Sequence, residues 1–257
     1  MDLQLQGRTA FVAASTGGLG RAIATALGRE GAHVVVTGRR QDAAAEIAAG
    51  LPSAIGIELD VLSSDSRTRA LEQAEADFGP IDIMILNGPG PKPGLAAEMH
   101  AAGVGAAFAQ LVEPGNHLIS HVLPGMRERK WGRILAVGSS GIVSPLPNLA
   151  ASNLGRAALA GYLKTLAAEV AADAVTVNLL LPGRIATDRV AGLDRARAER
   201  EGISQAEVAR TSQRSIPARR YGDPEEFGAA AAFLCSGPAS YITGVALRCD
   251  GGLVATL

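Results

Sequence analysis

The segment Ala14-Ser15-Thr16-Gly17-Gly18-Leu19-Gly20 has the residue types needed to hold a phosphate. Glycines at 18 and 20 let the backbone turn sharply and approach a pyrophosphate. A helix starting there offers unpaired N–H groups and a partial positive charge. The turn lies at the first strand–helix junction, where a dinucleotide would sit. The next strand ends in Thr37-Gly38-Arg39-Arg40. A carboxylate at this place would accept from a ribose 2′-hydroxyl and favour NAD. Gly38 stands there instead, and Arg39 follows it. A guanidinium fits a 2′-phosphate, so the pattern points to NADP(H), with a solvated basic turn as the plainer alternative.

The elements that must position these residues alternate. Strands are expected at Thr9–Ala13, His33–Thr37, Ala54–Leu59, Ile81–Leu86, Ile134–Val137, Val175–Leu181 and Val245–Arg248. Helices are expected at Gly20–Glu30, Ala43–Ala49, Ser66–Phe78 (with Ser63, Ser64 and Asp65 as capping candidates), near His117–Glu128, at Ser152–Ala171 and at Pro224–Cys235. Ile81–Leu86 is almost continuously apolar, as a strand buried on both faces requires. This βαβα alternation predicts one α/β Rossmann domain over 1–257, a doubly wound parallel sheet of about seven strands flanked by helices. The charged span Asp188–Pro217 reads as a helical flap over one end of the sheet.

Composition narrows the classes. A chain of 257 residues can bury a full core. With hydrophobics at 47% and aromatics at 4%, that core must be Ala, Val, Leu and Ile. A formal net charge of −1 gives no support for nucleic acid or a membrane surface as partner. Cys235 and Cys249 lack metal-ligand spacing and read as reduced thiols, so no metal is expected. There is no signal-peptide pattern and no apolar run of the ~18–20 residues that span a bilayer. A soluble cytoplasmic protein acting on a small-molecule substrate is the expectation.

Further motifs share one order and spacing: Asp60-Val61 after the third strand, Asn87-Gly88 after the fourth, then Gly132-Arg133-Ile134 and Gly138-Ser139-Ser140. Asn178-Leu179-Leu180-Leu181-Pro182-Gly183 with Thr187, Tyr241-Ile242-Thr243-Gly244 and Asp250-Gly251-Gly252 complete the set. With the glycine turn, these make the chain resemble the short-chain dehydrogenases/reductases over nearly its full length, in particular their 3-oxoacyl-acyl-carrier-protein reductase type. Ala14 departs from that pattern, standing where the family usually has its first glycine, and implies a slightly altered turn. The resemblance implies that Ser15, Thr16, Gly18, Leu19 and Gly20 hold the pyrophosphate. It also places Asp60 and Val61 at the adenine, Asn87 and Gly88 at the ribose, and Pro182, Gly183, Ile185 and Thr187 at the nicotinamide. The plain alternatives for Asp60 and Thr187 are helix caps. Family members are typically dimers or tetramers, so a homodimer or homotetramer is expected, paired through the helices containing Leu111 and Ser152.

The family's proton chemistry uses a serine, a tyrosine, a lysine and usually an asparagine. Counting from Arg133-Ile134 puts the serine on Ser139. Counting back from Leu163-Lys164-Thr165-Leu166-Ala167 puts the tyrosine on Ser152 and the lysine on Arg156. The 13-residue separation of Ser139 and Ser152 needs no gap. The asparagine position falls on Leu111. Ser152 and Arg156 are four apart and share a helix face. Arg156 can fork onto ribose hydroxyls and stabilise an oxyanion. Ser152 cannot replace a phenol as proton source; it can orient water, bind substrate or simply cap the helix. Tyr162 is expected to point elsewhere. Glu113-Pro114-Gly115-Asn116 is expected to break or kink its helix, which a straight course would leave with His117 and His121 turned away. Lys92, in a stiff Gly/Pro loop, is either a substrate contact or a solvated lysine.

The leading expectation is an NADP(H)-dependent reductase of a small carbonyl or enone substrate with a non-standard proton donor. Non-redox chemistry on the same scaffold, and a catalytically inactive nucleotide-binding sensor or partner subunit, remain open at this point.

Overall fold

The computed structural model describes residues 1–256. Among them, seven strands form one parallel sheet: β1 (Thr9–Val12), β2 (His33–Gly38), β3 (Ala54–Glu58), β4 (Ile83–Leu86), β5 (Gly132–Val137), β6 (Val175–Pro182) and β7 (Ala246–Cys249). The helices are α1 (Gly18–Arg29), α2 (Gln41–Ala49), α3 (Ser64–Phe78), α4 (Ala101–Leu111), α5 (Glu113–Glu128), α6 (Ala150–Val170), α7 (Asp188–Glu201), α8 (Gln205–Ser215) and α9 (Pro224–Leu234). The strand order is β3-β2-β1-β4-β5-β6-β7. The order reverses between β1 and β4, which opens a crevice at the carboxyl ends of those strands.

Side-chain alternation explains why both faces of the sheet are covered. Phe11, Met84 and Leu86 enter the core shared with α3, α5 and α6. Ala10, Val12, Ile83 and Ile85, their neighbours in sequence, enter the core shared with α1, α2 and α9. Successive residues of a strand point to opposite faces, so two helix layers need strands that are apolar throughout. Register is direct: Phe11 lies opposite Val35 on one side and Met84 on the other.

Most expected elements stand within two residues of their expected ends. Ser63 caps α3, its hydroxyl accepting from the Ser66 N–H at 3.3 Å. The stretch before His117 differs: α4 is an additional helix, and the break falls at Val112 (φ −108°, ψ −55°). Pro114, second in α5, has no N–H to give to the carbonyl four residues back, so the helix cannot run on unbroken. The sequence Ala-Ala-Gly-Val-Gly-Ala-Ala-Phe carries no apolar stripe, and Ala107 is the one fully buried residue of α4.

The span read as a flap contains two helices, α7 and α8. Asp194, buried in α7, accepts from Arg184 Nη1 at 2.7 Å and from the Tyr221 hydroxyl at 2.7 Å. The chain entering α7 also pairs with the chain leaving α8: Ala186 N–H donates to the Gly222 carbonyl and Gly222 N–H to that of Arg184. Asp194 therefore ties the flap to the body of the domain at one buried point. Asp194→Ala should lower unfolding free energy by about 2–3 kcal/mol, because it leaves Arg184 and Tyr221 without their acceptor. Urea denaturation checks this, and Tyr221→Phe should cost less than half as much.

Candidate nucleotide and active site

The glycine turn joins three strand ends. The Ala14 N–H donates to Thr37 Oγ1 (3.0 Å), and the Ala14 carbonyl accepts from Asn87 Nδ2 (3.0 Å). Gly20 sits directly under this knot: a Cβ there would lie 2.5 Å from Ala14 O and 2.8 Å from Asn87 Nδ2. Gly17 caps α1 without a side chain, so no capping oxygen takes up the first-turn N–H groups. These groups at Gly18, Leu19 and Gly20 suit a pyrophosphate. Ala14 keeps a left-handed backbone at φ 48°, a conformation glycine adopts freely and alanine does not. The turn is thus preserved with strain instead of being reshaped. The Ser15 hydroxyl is not directed at a ligand. It donates to the Val12 carbonyl (2.8 Å) and accepts from the Thr37 N–H (2.9 Å), locking β1 to β2.

At the adenosine end, Thr16 lies against Gly38, where a Cβ would come within 2.5 Å of its methyl. Thr16 therefore excludes an acidic side chain at position 38. Arg39 is exposed and makes no ion pair among the described residues. Asp60 is not the cap of α3; its carboxylate accepts from the Leu62 N–H (3.0 Å) and shapes the bend after β3. Val61 packs beside Gly88. Across the crevice, Thr187 does cap α7, accepting from the Val190 N–H at 3.4 Å, and its methyl lies 3.8 Å from where a Gly18 Cβ would be. The end of β6 thus comes against the glycine turn. Pro182 closes β6, and Gly183 fits tightly under Asp250. Ile185 is buried beneath the segment.

The serine and arginine positions do converge. Arg156 Nη1 donates to the carbonyls of Val137 (2.8 Å) and Gly138 (3.2 Å), the residues just before Ser139. Its other N–H groups make no protein hydrogen bond among the described residues. Burial and the charge of Arg189 pull its pKa down to about 10, so it remains a cation at neutral pH. The Ser139 hydroxyl accepts from the Gly141 N–H (3.0 Å), which leaves its proton to donate. Ser152 is buried at the third position of α6. Leu149 is the cap, so capping does not explain this serine. A cavity of about 40 Å³ next to Arg156 is lined by Asn87, Gly88, Leu111, Gly115 and Leu159. Leu111 lies against Gly155 with its apolar side chain.

The other candidates point elsewhere. His117 faces Arg67 and Thr68 on α3, and burial with the Arg67 charge holds its pKa below the usual range. His121 pairs with Glu75, and Tyr162 accepts from Asn116 on the surface. Lys92 is exposed. The described residues contain no cluster of His, Cys, Asp and Glu suited to a metal ion, and no helix long and apolar enough to cross a membrane. Sequence reading missed two residues. Asn153 pairs with both backbone groups of Leu146, fixing the loop beside Ser139. Arg189 lies against Gly90, hidden in a segment whose charge reads as a solvated helix.

A family model described as enoyl-(acyl carrier protein) reductase matches residues 13–254. The 3-oxoacyl-(acyl-carrier-protein) reductase FabG of Haemophilus influenzae is 35% identical over 252 residues, 97% of this chain and 99% of that protein. Two solved structures are each 30% identical. L-sorbose reductase of Gluconobacter frateurii, complexed with NADPH and L-sorbose, superposes with a TM-score of 0.93 and covers 100% of both chains. YwfH, an NADPH-dependent reductase involved in bacilysin biosynthesis, gives 0.90 over 97% of this chain and 99% of its own.

Ala14→Gly should stabilise the fold by about 1 kcal/mol, since it removes the cost of a left-handed alanine. Thermal unfolding checks it; an unchanged or lowered midpoint would show that the turn is unstrained.

Proposed function

The chain belongs to the short-chain dehydrogenase/reductase family, and on that premise we propose that it is an NADPH-dependent reductase of a small carbonyl or enone substrate, working without the family's tyrosine. The observation that carries this reading is Arg156: a cation largely withdrawn from water beside Ser139, with N–H groups unspent by the protein.

The cradle fits the cofactor. The α1 N-terminus would take the pyrophosphate, and the unpaired Arg39 beside Gly38 would take the 2′-phosphate. Asp60 and Val61 would flank the adenine, Asn87 and Gly88 the ribose, and Pro182, Gly183, Ile185 and Thr187 the nicotinamide. NADPH, when bound, supplies a hydride to the electrophilic carbon of the substrate. Arg156 and the Ser139 hydroxyl stabilise the negative charge that gathers on the substrate oxygen. In an enone that charge is an enolate, whose carbon takes its proton from water. No phenol is needed on that route, so conjugate C=C reduction suits this site better than ketone reduction. Ser152 orients water or substrate. Exposed Val104 and Phe108 on α4 support pairing with a second copy of the chain. A nucleotide-binding protein without turnover is the second reading, favoured by the apolar Leu111 packed on Gly155.

Arg39→Ala should raise the Kd for NADPH about tenfold and leave NADH unchanged, as titration of cofactor fluorescence reads directly. Arg156→Met should lower kcat about a hundredfold. Because burial lowers the Arg156 pKa, the folded state disfavours its charge at neutral pH; the variant should therefore be as stable as the parent or more so. For the same reason turnover should hold through neutral pH and fall as pH rises through about 10. NADPH consumption against a panel of enones and ketones measures both. No consumption with any of them would overturn the reductase reading in favour of the second.

A further inference from the structure

Arg189 has no role in the reading above. It is exposed in the first turn of α7, yet its guanidinium reaches the loop after β4: a Cβ on Gly90 would lie 2.4 Å from Nη2 and 2.9 Å from Cζ. The guanidinium therefore lies against the Gly88–Gly94 loop. That loop carries prolines at 89, 91 and 93, so the contact surface is stiff.

The charge at this place is unbalanced. The field of Arg189 reaches Arg156 and adds to burial in lowering its pKa. Among the described residues, neither arginine takes part in an ion pair, and in the flap Arg195, Arg210 and Arg214 have none either. Arg184 is held by Asp194, and Arg197 and Arg200 are held by Glu201. Lys92, on the same loop as Gly90, is exposed and unpaired as well. Asp188 is next to Arg189 in sequence but pairs with neither arginine; it sits in the first turn of α7, where a carboxylate complements the helix dipole. An anionic substrate group would be drawn to two cations that share no protein counter-charge.

We propose that Arg189 makes the site selective for carbonyl or enone substrates that carry a carboxylate. The proposal rests on the reductase reading. Arg189 grips the carboxylate with its planar fork, bidentately and from the flap side. Arg156, held at the β5 carbonyls, is left to face the carbonyl oxygen. One cation selects the substrate and the other stabilises the charge that develops on it.

The test uses the full chain with NADPH and a matched series of ketones and enones, each as free acid, methyl ester and primary amide. The acids should show KM values at least about tenfold below their esters and amides, from a charge-assisted bidentate contact. Arg189→Gln should erase that gap by raising KM for the acids alone, with kcat and the NADPH Kd unchanged. Arg189→Lys should restore part of it. If Arg189→Gln weakens NADPH binding and leaves the acid-to-amide ratio intact, Arg189 serves the cofactor and the proposal fails. Equal losses for acids and amides overturn it too. Calorimetry of the same acids and amides on NADP⁺-loaded protein decides the matter without turnover. Acid binding that depends on Arg189 upholds the proposal even if no compound consumes NADPH, and equal binding of acid and amide rejects it.

Discussion

The geometry of the whole carboxyl edge depends on how closely three strand ends meet at the first turn. Ala14 donates to Thr37 on β2 and accepts from Asn87 at the end of β4. The knot closes because position 20 has no Cβ to stand between them. It holds the sheet together at the point where strand order reverses, and it aims the α1 N-terminus into the crevice. Thr187 then brings the end of β6 onto the same glycines. A methyl group at residue 20 would push apart the surfaces that a dinucleotide must bridge.

A division of labour follows on either side of this knot. The nucleotide half consists mainly of backbone groups and small residues, whose positions are set by strand and helix packing. The proposed reacting half depends on side chains, chiefly Ser139 and the Arg156 cation. The guanidinium of Arg156 folds back onto the Val137 and Gly138 carbonyls at the end of β5. Leu111 makes the neighbouring helix surface apolar. The site therefore keeps one cation but lacks the hydrogen-bonding phenol and amide of a tyrosine–lysine–asparagine arrangement.

Much of this was legible in the residues. Strands buried on two faces announce themselves as apolar runs, and Gly18 and Gly20 mark where the backbone turns sharply and approaches closely. The replacement at Ser152 and Arg156 is a reading made by counting from two anchors. Other features rest on tertiary contacts that leave no local pattern. α4 is invisible because its Ala/Gly sequence shows no stripe, being packed by backbone approach more than by apolar side chains. The left-handed Ala14 breaks local preference and is imposed by its ties to Thr37 and Asn87. That Ser152 is not a cap depends on where α6 begins, three residues earlier than a serine cap would place it. Arg189 looks like any charged helix residue until the Gly90 loop is placed next to it.

The tie at Asp194 has a kinetic consequence. α7 and α8 bury few apolar residues, chiefly Ala198 and Val208, so polar contacts through one carboxylate hold much of the flap in place. A segment attached this way opens as a unit, at a fraction of the free energy that unfolds the sheet. Its amide protons would then exchange together and ahead of the core. The mobility of the segment is thus set by a single hydrogen-bonded carboxylate, a different group from those that hold the sheet ends together.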